Sequence, residues 1–309
     1  MSRSTAVSGA RMVIALATIG ILVWVGHRNV RDLAHVHLRL RPAWFAVAVP
    51  LYAAGSMMLA LGWRELLDAF GHRLPVATAV RVWWRAQVAR YVPTGLAAVA
   101  SRAALARDEG VPPALGAATM ALELAALVGW ACLMAAIGLP STVLSTPFRV
   151  LLGGASAIGL ATLPLLYPWG AGKLHRVPAL ATLAHTRGRR TTLYAAIALY
   201  GMFSVAKAAA FVAFAAALVP VHGNVLLFAG AIQGAGVIGI IGITPAGIGV
   251  RETALVTFLY RSIGAADAAA LAVAWRAFEF GFEVGWLGIG TVWRRPRAAL
   301  APTPRAPST

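Results

Sequence analysis

Apolar residues run through this chain in long blocks separated by short stretches rich in arginine, proline and glycine. A hydrocarbon core about 30 Å thick needs about 20 helical residues to cross. On that measure spans are expected at 12–26 (a short one), 43–63, 114–138, 148–169, 191–218 and 265–290. Two regions do not fit. In "AVRVWWRAQVARYVPTGLAAVASRAALARDEG" the arms 78–91 and 96–106 flank Pro93-Thr94-Gly95, and at 1.5 Å per residue each is about 15–21 Å long, too short to cross. The second region joins "VLLFAGAIQGAGVIGIIGI" to a short arm at 248–260 around Pro245-Ala246-Gly247. Proline and glycine free backbone groups that lipid cannot satisfy, so such breaks belong inside protein or beside a cavity. The pattern therefore predicts an all-α polytopic membrane protein with about six transmembrane helices and two re-entrant helical hairpins.

The two hairpins resemble each other. Pro93-x-Gly95 is followed by Arg102, Gly110 and a long helix with Glu123; Pro245-x-Gly247 is followed by Arg251, Gly264 and a long helix with Arg276 and Glu279. Repeat units are expected near 76–138 and 225–290. Three full spans lie between the hairpins, an odd number, so the hairpins would enter from opposite faces as an inverted repeat. The basic loop 170–190 and the tail, with Arg294, Arg295, Arg297 and Arg305, are placed in the cytoplasm, because 139–147 and 219–224 contain no Lys or Arg. Both termini are then inside, the first hairpin is cytoplasmic and the second is on the outer side of the inner membrane. The loop 27–42, with four arginines, goes against this count. Residues 1–293 form one membrane domain and 294–309 a basic, proline-rich tail. Arg3 and Arg11 precede the first apolar stretch, but "GHRNVRD" follows it instead of a small-residue cleavage site, which makes it an uncleaved span.

Composition narrows the class. Hydrophobic residues make up 60% of the chain, charged residues 12%, and the mean hydropathy is +0.75, which excludes an ordinary soluble domain. The net charge of +17 sits between apolar spans and points to anionic lipid headgroups, not nucleic acid. Cys132 is the single cysteine. No P-loop, His-Glu-x-x-His or magnesium-binding acidic cluster occurs, so neither a cofactor nor catalysis is expected.

The candidate chemistry lies behind the breaks. In "ITPAGIGVRET", Pro245, Gly247 and Gly249 precede Arg251 and Glu252, and a short helix starting there would present free amides and a positive dipole end to a phosphate. Glycines that serve close helix packing, as at Gly230, Gly234, Gly236 and Gly239, are the alternative. Arg90 and Arg102 flank the first break. Arg81 and Arg85 share a helix face and would snorkel to the interface beside an aromatic belt of Trp83 and Trp84. Glu123 lies too deep for water and must be protonated, paired with arginine or wetted by a cavity. Arg276 and Glu279 are three apart on one helix face, so a structural ion pair competes with a substrate contact there, and Lys207 carries the same ambiguity.

With "RYVPTGLAAVASRAALARDEGV" and Glu123, "TPAGIGVRE", and "AWR" at Arg276, the sequence resembles the flippase-like transmembrane region of lysylphosphatidylglycerol synthases and their stand-alone relatives over most of residues 40–290. The resemblance implies a lipid-handling module, without the aminoacyl-transferase domain after residue 293. The expectation is a flippase for an anionic phospholipid or lipid-linked headgroup, with Arg90, Pro93, Gly95, Arg102, Glu123, Lys207, Pro245, Gly247, Gly249, Arg251, Glu252, Arg276 and Glu279 as substrate-binding positions. The alternatives are a membrane enzyme on a lipid-linked substrate or an accessory subunit of an envelope synthase. Expected partners are the lipid, the membrane, and an envelope-synthesis enzyme or a second copy of the chain.

Overall fold

The computed structural model describes residues 40–292, apart from 88, 90–96, 174–182, 184–186, 222, 242–246 and 248. The expected span 12–26, Arg90, Pro93, Gly95, Pro245 and the tail 294–309 lie outside the described residues. The elements are helices throughout: α1 Pro42–Ala69, α2 Val76–Gln87, α3 Ala97–Arg107, α4 Pro113–Gly138, α5 Thr146–Lys173, α6 Arg190–Leu218, α7 Val225–Ile241, α8 Val250–Ile263 and α9 Ala265–Val292. Pro42 and Pro113 each open a helix, where a missing amide costs nothing. Gly264 closes α8 at φ 86°, a conformation glycine adopts freely.

Among the described residues four helices, α1, α4, α5 and α6, are long and apolar enough to cross a membrane, and they coincide with four of the expected spans. The chain is a multi-pass membrane protein. α9 is equally long at 28 residues but carries Asp267, Arg276, Glu279 and Glu283. The arms α2, α3, α7 and α8 have 12, 11, 17 and 14 residues, about 16–26 Å each and short of the hydrocarbon core.

The most extensive packing is between α1 and α6. A Cβ on Gly55 would lie 2.8 Å from the Ala206 methyl, and one on Gly62 would lie 2.8 Å from the Tyr200 ring, so small residues let the two helices run antiparallel at close range. Their ends are tied reciprocally. The Arg41 amide donates to the Ala217 carbonyl at 2.8 Å, and the Arg189 amide donates to the Ala69 carbonyl at 3.0 Å. These two bonds are the same bond displaced by 148 residues at both ends.

That displacement continues along the chain. From Pro42 to Arg190, Val76 to Val225, Ala97 to Val250 and Pro113 to Ala265, corresponding helices begin 148, 149, 153 and 152 residues apart. The order long, short, short, long thus occurs twice, with α5 between the sets. Each set is the main contributor to one apolar core, and α1 and α6 reach into both. Trp63, Leu67, Val82, Leu115 and Leu122 belong to the first; Phe211, Phe228, Leu259, Leu271 and Trp275 belong to the second. α5 lays Leu160, Tyr167 and Ala171 against the first core and leaves Val150, Leu151, Ile158, Leu166 and Trp169 more than half exposed, a surface suited to lipid.

Besides the α1–α6 pair, the sets meet where α4 passes α7. Cβ atoms on Gly138 and Gly230 would each fall within 2.8 Å of the other helix's backbone. Gly138→Val should therefore destabilise the protein by about 2–3 kcal/mol through overpacking against backbone that cannot move aside. Gly154→Ala on α5, with open space around it, should be neutral or stabilising by up to about 1 kcal/mol. Thermal unfolding in detergent compares them.

Candidate functional site

Among the described residues two ionic clusters are buried, one in each core. The first is built on α3 and α4, where Nη1 of Arg102 donates to Oε2 of Glu123 at 2.6 Å and the side chains are 4% and 8% exposed. The guanidinium lies 5.1 Å from the Trp83 ring centre and 5.7 Å from that of Trp63, close enough for cation–π attraction that water does not dilute. Glu123 Oε2 also accepts from the Tyr200 hydroxyl at 3.2 Å and the Trp83 indole at 3.5 Å. Arg102 Nε is buried with no hydrogen-bond partner among the described residues. Of the three states open to Glu123, pairing with arginine is the one observed.

The second cluster centres on Glu279 of α9. Arg251 of α8 meets it edge on, Nη2 donating to Oε1 at 2.9 Å and Nη1 lying 2.8 Å from Oε2. Lys207 of α6 approaches to 3.5 Å and Arg276, one turn back on α9, to 3.8 Å. The Tyr52 hydroxyl of α1 faces Oε1 at 3.5 Å. Three cations from three helices thus converge on one carboxylate that is 4% exposed. Removing such a carboxylate from water is tolerable only with this kind of compensation.

Glu252 has a different partner. Its Oε2 accepts from the Gly249 amide at 2.7 Å, capping α8, while Oε1 is 3.8 Å from Arg276. Gly249 supplies the cap position at φ 85°. A carboxylate of the chain thus already meets the amide that the sequence offers to a phosphate. Gly247 is buried at φ 68°, and a Cβ there would come within 2.8 Å of the Gly239 carbonyl oxygen, so α7 alone is enough to require glycine. Of the four α7 glycines, Gly230 meets Gly138, Gly234 meets Phe258 and Gly239 meets Arg251, whereas Gly236 faces open space.

One reading is corrected. Trp83 and Trp84 form no aromatic belt: they are 3% and 5% exposed, because α2 is wedged between α1, α3 and α9. Trp84 stacks on Trp286 at 5.3 Å. Arg81 on the same helix pairs at the surface with Glu109. The sequence reading also missed Trp63, Tyr52 and Tyr200. A signal existed, since Tyr52 and Tyr200 are each the eleventh residue of α1 and α6.

Against known proteins, residues 12–285 match the family model described as lysylphosphatidylglycerol synthase TM region. No curated protein and no solved structure matches the chain.

Arg102→Met should cost about 3–5 kcal/mol, since it strands a buried carboxylate. Adding Glu123→Leu should recover most of that loss, which a double-mutant cycle by thermal unfolding would measure. A double variant as unstable as the single one would show that the pair is not what the site depends on.

Proposed function

The chain belongs to the lysylphosphatidylglycerol synthase TM region family, and from that premise we propose that it moves an anionic phospholipid or lipid-linked headgroup between leaflets. The observation that supports this best is the convergence of Arg251, Lys207 and Arg276 on Glu279. Arginine can meet a phosphate with the same guanidinium edge, Nη1 and Nη2, that it turns to this carboxylate. A headgroup phosphate exchanges with Glu279 for that edge, and the carboxylate keeps the cations compensated while the site is empty of substrate. On α7 and the start of α8, Ile238, Gly249, Val250, Thr253, Ala254, Thr257 and Phe258 line an open groove. Its two threonine hydroxyls are turned onto carbonyls of their own helix, which leaves an apolar wall suited to an acyl chain.

On this reading the two sets of helices are an inverted repeat, α2–α3 and α7–α8 are hairpins entering from opposite faces, and both termini are cytoplasmic in the inner membrane. The antiparallel α1–α6 pair with its reciprocal end bonds supports it, because equivalent elements related by a two-fold axis in the membrane plane must run in opposite directions.

Proteoliposomes containing fluorescent phosphatidylglycerol, with the outer leaflet bleached by dithionite, test the activity. The wild-type protein should speed bleaching of the inner pool over protein-free vesicles. Arg251→Gln should lower the rate at least about tenfold and Arg251→Lys by less, since lysine keeps the charge but not the fork. A wild-type rate no faster than protein-free vesicles overturns the proposal.

The topology has its own test. In a Cys132→Ala background, Asp108→Cys should react with an impermeant thiol reagent from the cytoplasm and Asn224→Cys from outside. Labelling of both from one face rules out the inverted arrangement.

A further inference from the structure

The tyrosines of the two clusters are exchanged between the halves. Tyr52 belongs to α1, the first helix of the first set, yet its hydroxyl faces Glu279 of the second. Tyr200 belongs to α6, the first helix of the second set, yet it bonds Glu123 of the first. They stand 148 residues apart, the displacement that relates Arg41 to Arg189 and Ala69 to Ala217 in the end bonds of α1 and α6. Ser56 and Ser204, both buried, repeat it one turn further on. The exchange follows from the packing: α1 and α6 lie against each other, so each helix reaches across to the other half's carboxylate.

Resting on the flippase reading, we propose that Tyr52 and Tyr200 are equivalent positioning residues, each orienting the carboxylate of the opposite half, with α1 and α6 forming the fixed two-fold spine that serves both clusters. A carboxylate facing several cations can rotate among them. A hydroxyl on one oxygen fixes which edge faces the guanidinium, and therefore which edge a substrate phosphate must take over. Tyr200 acts on the oxygen that Arg102 holds, and Tyr52 acts on the oxygen that Arg251 Nη2 holds. Neither tyrosine touches substrate on this reading; both act through glutamate.

Tyr→Phe removes the hydroxyl and keeps the ring, which at Tyr52 packs on Trp275, Phe278 and Phe282 and at Tyr200 on Gly62. Flipping of fluorescent phosphatidylglycerol in proteoliposomes is measured for each single variant and in two backgrounds. Each Tyr→Phe should slow flipping about tenfold, the scale of one hydrogen bond to a charged group. In Glu279→Gln, Tyr52→Phe should cost less than about twofold while Tyr200→Phe keeps its full effect, and in Glu123→Gln the pattern should reverse. General loss of stability would not give this crossed specificity. Equal effects in both backgrounds, or no effect of either variant while the wild type flips lipid, overturn the inference and leave the flippase reading standing. Absence of flipping by the wild type overturns both. Should either Gln variant be inactive, Tyr52→Phe with Tyr200→Phe decides: the double variant should be slower by the product of the two single effects, and a double no slower than a single one rejects separate clusters.

Discussion

A carboxylate in the middle of a lipid-embedded bundle has to be compensated by the bundle itself, and the rest of this structure is arranged around doing so twice. Glu123 and Glu279 sit on long helices in the two apolar cores, and each draws an arginine from the short helix just before it. An isolated charge there costs several kcal/mol, and breaking such a pair costs as much. The short arms α3 and α8 therefore do more than fill space. They bring an arginine to the long helix, with Trp83 of α2 over Arg102 and Gly239 of α7 against Arg251.

Close approach of backbones is the second condition. α1 and α6 pack through Gly55 and Gly62, and α4 and α7 pack through Gly138 and Gly230. In lipid these contacts replace the hydrophobic drive that assembles soluble bundles, because lipid tails are as apolar as the side chains they would leave. Bulky aromatics then fill the space the glycines do not: Trp63 and Trp83 around Arg102, and Trp275 and Phe278 around Tyr52.

Length and polarity made the long helices legible in the sequence, since α1, α4, α5 and α6 contain the apolar runs read at 43–63, 114–138, 148–169 and 191–218. The depth of Glu123, and the charges at Arg251, Arg276 and Glu279, marked buried chemistry for the same reason. Partner choice was not legible, because depth along a helix leaves its facing open. Arg251 adjoins Glu252 in sequence, yet its fork goes to Glu279, while Glu252 closes the start of its own helix. Trp83 and Trp84 beside two arginines have the composition of an interface, and only the neighbours of α2 turn them inward. The match between α1 and α6 was hidden because few of their residues are identical at that displacement, among them Tyr52 with Tyr200 and Ser56 with Ser204.

The spacing of partners along the chain also sets an order of events during biosynthesis. Each glutamate lies only 21 or 28 residues from its arginine, so the pair enters the bilayer nearly together and its charge is masked while the chain is still being made. The tyrosine hydroxyls come from 77 and 227 residues away. Glu123 must wait for α6 to be synthesised, whereas Glu279 arrives last and finds Tyr52 already in place. Insertion can thus proceed on local pairs alone, and the second hydroxyl contact forms only when α9 docks, which makes it a marker of the two sets having come together.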